Sequence, residues 1–323
     1  MVPQGTALVV RIPLISSSLS IQQHDVHASA RFLLIVMMFL GTTPWGTFVS
    51  CEEYSKGQCW QVDPDPASEH HDTPMKTKLG GQGGNYESVA CDDRNPSHPI
   101  FFVTEDDQTG VLRRYTPPPP MEPGAAADWD ALHADGGNTE FLVFLDDTRF
   151  TWSCDETLGR FSQEKYYPNL EGIDYEEGML YFVSKRFLKL YVLDLDNGTY
   201  ETSATNEHSL YRGEFKHQPD QLVRNREDND LLYFTEDGGQ TPGVYAIDAK
   251  GQSYAIFEAY DEKYFNDETT GLEFSPDGTT SERKRAVPLP YLSTVFICSM
   301  YLIIRFPFRS PPSSVRLLSG LRL

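Results

Sequence analysis

The sequence contains FFVTEDDQTGVLRRY at residues 101–115 and, as a second copy of the same pattern, YFTEDGGQTPGVYAID at residues 233–248. Each copy has an aromatic pair, the string Thr-Glu-Asp, a Gln-Thr turn and a following apolar strand. Two weaker copies lie at residues 47–63 and 181–196. Such self-similarity is the signature of a repeat architecture. The chain is therefore predicted to be built from repeated short units.

The copies recur with a period near fifty residues. Aligned on their hydroxyl residue, they lie at Ser50, Thr104, Ser184 and Thr235, which are 54, 80 and 51 residues apart. The long interval contains residues 116–128, a Pro- and Ala-rich stretch predicted to be an inserted surface loop. Repeats of this length with several short antiparallel strands are typical of a β-propeller. The predicted fold class is all-β, with a β-sandwich built on a repeated hairpin as the alternative.

The composition agrees with an all-β chain and excludes a helical bundle. The 323 residues include 24 Gly, 22 Pro, 17 Tyr and 19 Phe, and few long windows show a helical period. The net charge of −20 repels phosphate backbones, so nucleic acid is not an expected partner. The sequence has no G-x-S-x-G elbow, Walker A loop or H-E-x-x-H motif, which excludes those catalytic classes.

Acidic residues open the predicted first strand of several units. A short apolar run follows Glu87, Glu171 and Asp220, and a similar string at residues 270–273 ends in Glu273. Symmetric pairing about a tight turn places each residue of such a strand opposite a later position. The predicted pairs are Glu87 with Glu105, Glu171 with Lys185, and Asp220 with Glu236.

The first strand of a propeller blade lines the central channel, so carboxylates at its start are expected to meet at one mouth. Several carboxylates at close range cannot all stay ionised without compensating charge, which predicts bound cations. Hard oxygen ligands from many positions suit Ca²⁺. The predicted cluster comprises Glu52, Glu53, Glu87, Glu105, Asp106, Asp107, Glu171, Asp220, Glu236, Asp237 and Glu273.

Two further side chains have alternative interpretations. The thiolate of Cys51 is a ligand for a softer transition metal, or its sulfur pairs with Cys59 across a hairpin. The ammonium of Lys185 neutralises Glu171, or, together with Arg186, it receives an anionic substrate group. The residues alone leave both questions open.

The two ends of the chain differ from its middle. The acidic charge lies within residues 42–281, whereas residues 282–323 carry seven Lys and Arg against the single acid Glu282. Residues 42–281 are predicted to form the folded domain. Residues 1–41 include an apolar run at 32–40 that resembles a secretory signal, and 282–323 form a basic and apolar tail outside the propeller. Residues 287–304 of that tail are interpreted either as a membrane anchor or, like the N-terminal segment, as the product of a misplaced gene boundary.

The string TPWGTFVSCEE at residues 43–53 strongly resembles the PhoX-type alkaline phosphatase family. The stretches NYESVACD (85–92) and TGLEFSPDG (270–278), together with the two copies quoted first, are also similar to that family, so the resemblance covers about residues 42–279. It implies a six-bladed propeller, usually exported, that hydrolyses phosphomonoesters with Ca²⁺ and Fe³⁺ at the channel mouth. Cys51 matches the family's Cys-Glu-Glu thiol, and the acidic strings match at Glu87, Glu171, Glu236 and Glu273.

The family has six blades, whereas four units and the start of a fifth are visible in this chain. The propeller is therefore predicted to be incomplete, with four to five blades.

The predicted function is a metal-dependent phosphomonoester hydrolase, secreted or extracytoplasmic. The alternatives are a Ca²⁺-dependent lactonase or esterase, and a truncated metal-binding propeller without turnover. The expected partner is a small phosphomonoester, with membrane contact only through 287–304. The predicted phosphate contacts are Lys185 and Arg186, and the predicted metal ligands are Cys51, Glu52, Glu87, Glu105, Glu171, Asp220, Glu236 and Glu273.

Overall fold

The computed structural model describes residues 8–11, 37–71, 73–205, 218–224, 231–237, 243–258, 269–274, 293–297, 300–304 and 316–319. These residues form strands almost throughout, with one α-helix, α1 (Glu156–Tyr166), and one short 3-10 helix (Trp129–Leu132). The chain divides into two compact units, residues 24–203 and residues 1–23 with 204–323. Each unit is described by itself below.

The first fourteen strands in chain order are β1 (Leu8–Arg11), β2 (Met37–Thr42), β3 (Phe48–Gly57), β4 (Cys59–Val62), β5 (Met75–Lys76), β6 (Gly84–Asp92), β7 (Ile100–Glu105), β8 (Arg113–Thr116), β9 (Asn138–Phe144), β10 (Phe150–Ser153), β11 (Leu170–Glu176), β12 (Met179–Ser184), β13 (Lys189–Asp194) and β14 (Thr199–Ala204). The remaining strands are β15 (Gln218–Arg224), β16 (Leu231–Asp237), β17 (Gly243–Asp248), β18 (Ser253–Glu258), β19 (Thr269–Phe274), β20 (Ser293–Ile297), β21 (Met300–Ile304) and β22 (Arg316–Ser319).

The unit at residues 24–203 consists of successive antiparallel meanders. Strand β3 pairs with β2 and β4, and β4 pairs with β5. Strands β6 to β10 form the next meander, which β3 joins through β6. Strands β11 to β14 form a separate four-stranded sheet. Residues 117–128 form no helix or strand, so the Pro- and Ala-rich segment lies between β8 and the 3-10 helix as a loop.

The meanders enclose two hydrophobic cores. Strand β7 is buried on both faces, so that Phe101 contributes to one core and Phe102 to the other. Phe182 and Tyr191 pack face to face in the core of Phe102, with ring centroids 4.9 Å apart. Burial of each such large side chain stabilises the fold by about 1.5–3 kcal/mol. These cores fix the strands whose ends carry the acidic residues.

A β-bulge lies at the acidic residue of strand β6. Tyr86 pairs with Glu105, whereas Val89 pairs with Val103. Two residues, Glu87 and Ser88, therefore face Thr104 alone, which is the arrangement of a β-bulge. The predicted pairing of Glu87 with Glu105 is wrong by one residue, because symmetric counting about the turn allows for no inserted residue.

The same irregularity recurs in two other repeats. The register of β11 with β12 shifts between Leu170 and Ile173, and that of β15 with β16 shifts between Pro219 and Leu222. Each shift encloses the acidic residue that the sequence singled out, Glu171 in one case and Asp220 in the other. Leu170 pairs with Ser184, so the predicted pairing of Glu171 with Lys185 is wrong. Pro219, not Asp220, pairs with Glu236, which corrects that prediction too. The bulge is therefore part of the repeat.

The second unit contains the antiparallel meander β15 to β18. Strand β22 pairs with β18 and β1, and the hairpin β20–β21 pairs with β19. Of these pairings, β22 with β18 and β21 with β19 join segments of residues 282–323 to strands within residues 42–281. The predicted domain limit at residue 281 stays a prediction. Among the residues with described structure, no helix is both long and apolar enough to cross a membrane.

Candidate metal centre

Thr104 connects two successive meanders at the candidate site. Its hydroxyl accepts a hydrogen bond from the backbone N–H of Ser88 at 3.0 Å and donates one to the carbonyl oxygen of Glu171 at 2.7 Å. The Thr104 side chain is completely buried. Strand β7 thereby fixes both the bulge that carries Glu87 and the start of strand β11, where Glu171 lies.

Glu87 and Glu171 bring buried carboxylates together. The exposed fraction is 1% for Glu87 and 2% for Glu171, and carboxylate oxygens of the two residues lie within 4.8 Å of each other. At this distance two buried carboxylates repel each other and need a cation or a proton to compensate. The two residues therefore form the centre of a candidate cation site.

Lys185 supplies part of the compensating charge. Its Nζ lies 2.5 Å from Oε1 of Glu171 and 2.7 Å from Oδ2 of Asp106, and its side chain is only 20% exposed. Burial alone would lower the pKa of Lys185, but the carboxylates of Glu171 and Asp106 raise it above its ordinary value. The predicted ion pair between Lys185 and Glu171 is present. Arg186, the next residue, is exposed to solvent.

Two asparagines that the sequence analysis missed hold Asp106 in place. Asn169 donates from Nδ2 to Oδ1 of Asp106 at 2.9 Å, and Asn85 donates from Nδ2 to the carbonyl oxygen of Asp106 at 2.6 Å. Asn169 has a φ of 53°, a left-handed conformation that asparagine tolerates better than most residues. Its place two residues before Glu171, at the turn from α1 into β11, is the only signal the sequence offers for this role.

Helix α1 positions this turn. The Asp155 carboxylate caps the helix by accepting from the N–H of Thr157 at 2.9 Å. One turn before the helix ends, the amide of Gln163 donates to the carbonyl oxygens of Glu105, at 3.0 Å, and Asp107, at 2.8 Å. The helix thus connects the end of β7 to the residue pair Asn169 and Glu171.

Glu105 lies in a buried ion pair at the end of strand β7. Its Oε2 accepts a hydrogen bond from the N–H of Val111 at 3.1 Å and lies 3.9 Å from Nη2 of Arg113, and both side chains are about nine-tenths buried or more. Burial raises the pKa of Glu105, which the guanidinium of Arg113 opposes. Arg113 also packs over the ring of Tyr86, 4.8 Å from its centroid. The structure thus places Glu105 in a buried ion pair with Arg113, and its role as a metal ligand stays a prediction.

Cys51 forms a disulfide with Cys59, its direct partner across strands β3 and β4. A sulfur in a disulfide has no thiolate to bind a metal, so the structure corrects the assignment of Cys51 as a ligand and favours the pairing alternative. Glu52 is also engaged locally, because its Oε2 accepts a hydrogen bond from the N–H of Gln58 at 2.9 Å. Cys51 and Glu52 thus stabilise the β3–β4 hairpin.

The disulfide gives a stability prediction. Cys51 and Cys59 are eight residues apart, and closure of a loop of this size is expected to stabilise the fold by about 2.5 kcal/mol. Replacing both with Ala should lower the free energy of unfolding by that amount in urea titrations. The exposed free Cys154 gives the control, since Cys154→Ala should change it by less than about 0.5 kcal/mol. Equal stability of the double variant and the unmodified protein would contradict the prediction.

Thr104 gives a second stability prediction. Thr104→Val keeps the shape of the side chain but leaves the Ser88 N–H and the Glu171 carbonyl oxygen without this partner, at a cost of about 2–4 kcal/mol. Thr104→Ser keeps the hydroxyl and should cost about 1 kcal/mol, the scale of one lost methyl group. Chemical denaturation measures both, and a Val variant as stable as the Ser variant would show that the hydroxyl does not matter.

The second unit repeats part of this arrangement. The hydroxyl of Thr235 accepts a hydrogen bond from the N–H of Gln221 at 3.0 Å and lies 3.3 Å from Oδ2 of Asp220. Asp220 and Glu236 are almost completely buried. Glu273 lies in β19, and its side chain is outside the described residues. That these three residues join Glu87 and Glu171 in one site stays a prediction.

No family model and no curated protein matches the chain. Among solved structures, the chain is similar to Pseudomonas fluorescens PhoX in complex with vanadate, a transition state analogue, at 15% identity and a TM-score of 0.54. The likeness covers 74% of this chain, which spans only 63% of that structure's length. Virginiamycin B lyase from Staphylococcus aureus matches at 10% identity over 84% of this chain and 66% of its own, with a TM-score of 0.41.

The likeness to PhoX concerns the fold. Together with the successive antiparallel meanders, it identifies an all-β protein of the β-propeller class, and the predicted fold class is confirmed. At 15% identity it does not extend to activity. The residues themselves test the implied metals. The buried carboxylate oxygens of Glu87 and Glu171 fit a hard cation such as Ca²⁺, and the disulfide leaves Cys51 without a thiolate to bind iron.

Proposed function

We propose that the protein is a metal-dependent phosphomonoester hydrolase whose divalent cation binds at Glu87 and Glu171. The observation that carries the proposal is the approach of these two carboxylates to within 4.8 Å in a buried setting. Ca²⁺ is the cation that such hard oxygen donors fit best. The vanadate bound to the PhoX structure supports a phosphate-like anion as the ligand of this class of site.

In this proposal each residue has a defined task. Glu87 and Glu171 hold the cation, and Thr104 keeps the Glu171 backbone in position. Their burial excludes water, which strengthens electrostatic interactions at the site. A cation held by these two carboxylates would supply positive charge that stabilises the phosphoryl oxygens. Lys185 and Arg186 are the proposed contacts for the remaining phosphate oxygens.

Hydrolysis of para-nitrophenyl phosphate tests this function. The full chain should release nitrophenol in Ca²⁺, lose the activity after chelation with EDTA, and recover it when Ca²⁺ is restored. Activity that persists after complete chelation would overturn the proposal, and so would a protein inactive in every divalent cation tried.

A Ca²⁺-dependent lactonase or esterase is the second candidate. The observation that favours it is the Cys51–Cys59 disulfide, because Cys51 then has no thiolate to bind iron, and a Ca²⁺-dependent lactonase or esterase needs none. Metal analysis of the purified protein together with assays on a lactone and a phosphate ester separates the two. Lactone hydrolysis without phosphate ester hydrolysis supports this candidate. Metal binding without either activity supports the non-catalytic alternative.

We also propose that the chain is exported. Disulfides persist in oxidising compartments and are rare in the cytosol of most organisms, and the buried Cys51–Cys59 bond is consistent with such a compartment.

A further inference from the structure

We propose that Lys185 is a resident counter-ion that competes with the divalent cation for Glu171. The inference rests on the proposed function, because it concerns the same cation. It assigns to Lys185 a role before substrate arrives: the ammonium stabilises the carboxylates while the cation is absent, and it withdraws from Glu171 when the cation binds.

The geometry of the ion pair supports competition. Nζ of Lys185 lies 2.5 Å from Oε1 of Glu171, which is within the range of Ca²⁺–oxygen distances. A cation bound to the same carboxylate would therefore lie within a few ångströms of the ammonium. Repulsion between a doubly and a singly charged cation at such a distance is strong where water is largely excluded. The ammonium and the divalent cation therefore cannot both contact Glu171 at their most favourable distances.

Asp106 provides the place to which the ammonium withdraws. Its Oδ2 already lies 2.7 Å from Nζ of Lys185, and Asn169 fixes its other oxygen. The lysine side chain has four flexible carbons and is 20% exposed, so a small rotation releases Glu171 while the contact with Asp106 persists. A lysine suits this exchange better than an arginine, whose planar fork binds a carboxylate through two hydrogen bonds.

The consequence for substrate binding follows from charge. In the absence of the cation, the ammonium is neutralised by two carboxylates and attracts anions weakly. After the cation takes Glu171, the ammonium retains Asp106, and the donor released from Glu171 turns to a phosphate oxygen. Cation binding thereby prepares the anion contact, so the two ligands are coupled through one side chain.

Calorimetric titration with Ca²⁺ alone tests the competition in two variants with opposite expectations. Lys185→Met removes the competing charge and should tighten Ca²⁺ binding by about tenfold or more. Lys185→Arg should weaken it, because the guanidinium holds Glu171 more firmly. Lys189→Met is the matched control, because it removes the same charge from an exposed position outside the proposed site, and it should change the affinity by less than about threefold.

Each outcome has a distinct meaning. Tighter binding by the Met variant with weaker binding by the Arg variant supports the competition. Weaker binding by the Met variant overturns it, since Lys185 would then only position Glu171, and the proposed cation site would stand. If neither the unmodified protein nor the Met variant binds Ca²⁺, the cation site and the proposed function fail together. If a variant folds less stably, the rise of its thermal midpoint on addition of Ca²⁺ should rank the Ca²⁺ affinities of the variants in the same order.

Discussion

Replacing Glu171 with Gln is expected to lower the phosphate ester activity by at least about 100-fold. Mutation of residues that only hydrogen-bond to a metal ligand already costs about 10- to 100-fold in metal affinity or activity, and loss of a ligand itself should cost more. Glu87→Gln should have a similar effect. Both substitutions keep the size of the side chain and remove the negative charge that holds the cation. Raising the Ca²⁺ concentration should restore part of the activity, because the substitutions lower activity by weakening Ca²⁺ binding.

Glu122→Gln is the matched control, since Glu122 is exposed in the Pro- and Ala-rich loop. Its activity should equal that of the unmodified protein. Thermal unfolding establishes that the Glu171 and Glu87 variants are folded. Folded variants that keep more than about half of the activity would contradict the role given to these carboxylates.

Replacing Arg113 with Met should destabilise the fold by about 3–5 kcal/mol, because it leaves the Glu105 carboxylate buried without its cation. Urea unfolding measures this loss. Arg149→Met gives the control, since Arg149 pairs with Asp146 at the surface and should cost less than about 1 kcal/mol. Adding Glu105→Gln to the Arg113 variant removes the stranded charge and should restore part of the stability. An Arg113 variant no less stable than the Arg149 variant would contradict this account.

The effect of Arg113→Met should also depend on pH. The pKa of Glu105 is already raised in the folded protein, so the folded state binds its proton more tightly than the unfolded chain does. Stability associated with this group is present below its unfolded pKa and is lost as pH rises through its folded pKa. Without Arg113 the folded pKa rises further. The deficit should therefore be larger at about pH 8 than at about pH 5.

The sequence was sufficient for the fold class because the repeat is visible in the residues themselves. Thr104 and Thr235 occupy the same place in two copies, and in both hairpins the hydroxyl accepts a hydrogen bond from the backbone N–H after the acidic residue. The pairing register was wrong by one residue at Glu87, because a bulge leaves no signature in a symmetric count. The predicted acidic strings were nevertheless the correct places to look for buried carboxylates.

The candidate site was predicted less completely than the fold. Glu105 and Glu87 look equivalent in the sequence. Only the tertiary structure shows that Glu105 forms an ion pair with Arg113 of the next strand. The two interpretations of Cys51 depended on whether Cys59 lies directly across the hairpin, which a residue count does not determine. Apart from its place two residues before Glu171, Asn169 carries no sequence pattern, because its role depends on a turn conformation and on the position of Asp106.

Equilibrium dialysis against radioactive Ca²⁺ tests whether Glu87 and Glu171 bind a cation, since it measures the cation without assuming a substrate. The full chain and the double variant Glu87→Gln, Glu171→Gln are compared after both have been shown to be folded. We expect bound Ca²⁺ in the unmodified protein and its loss in the double variant. No bound Ca²⁺ in the unmodified protein, or equal binding by the two, would contradict it.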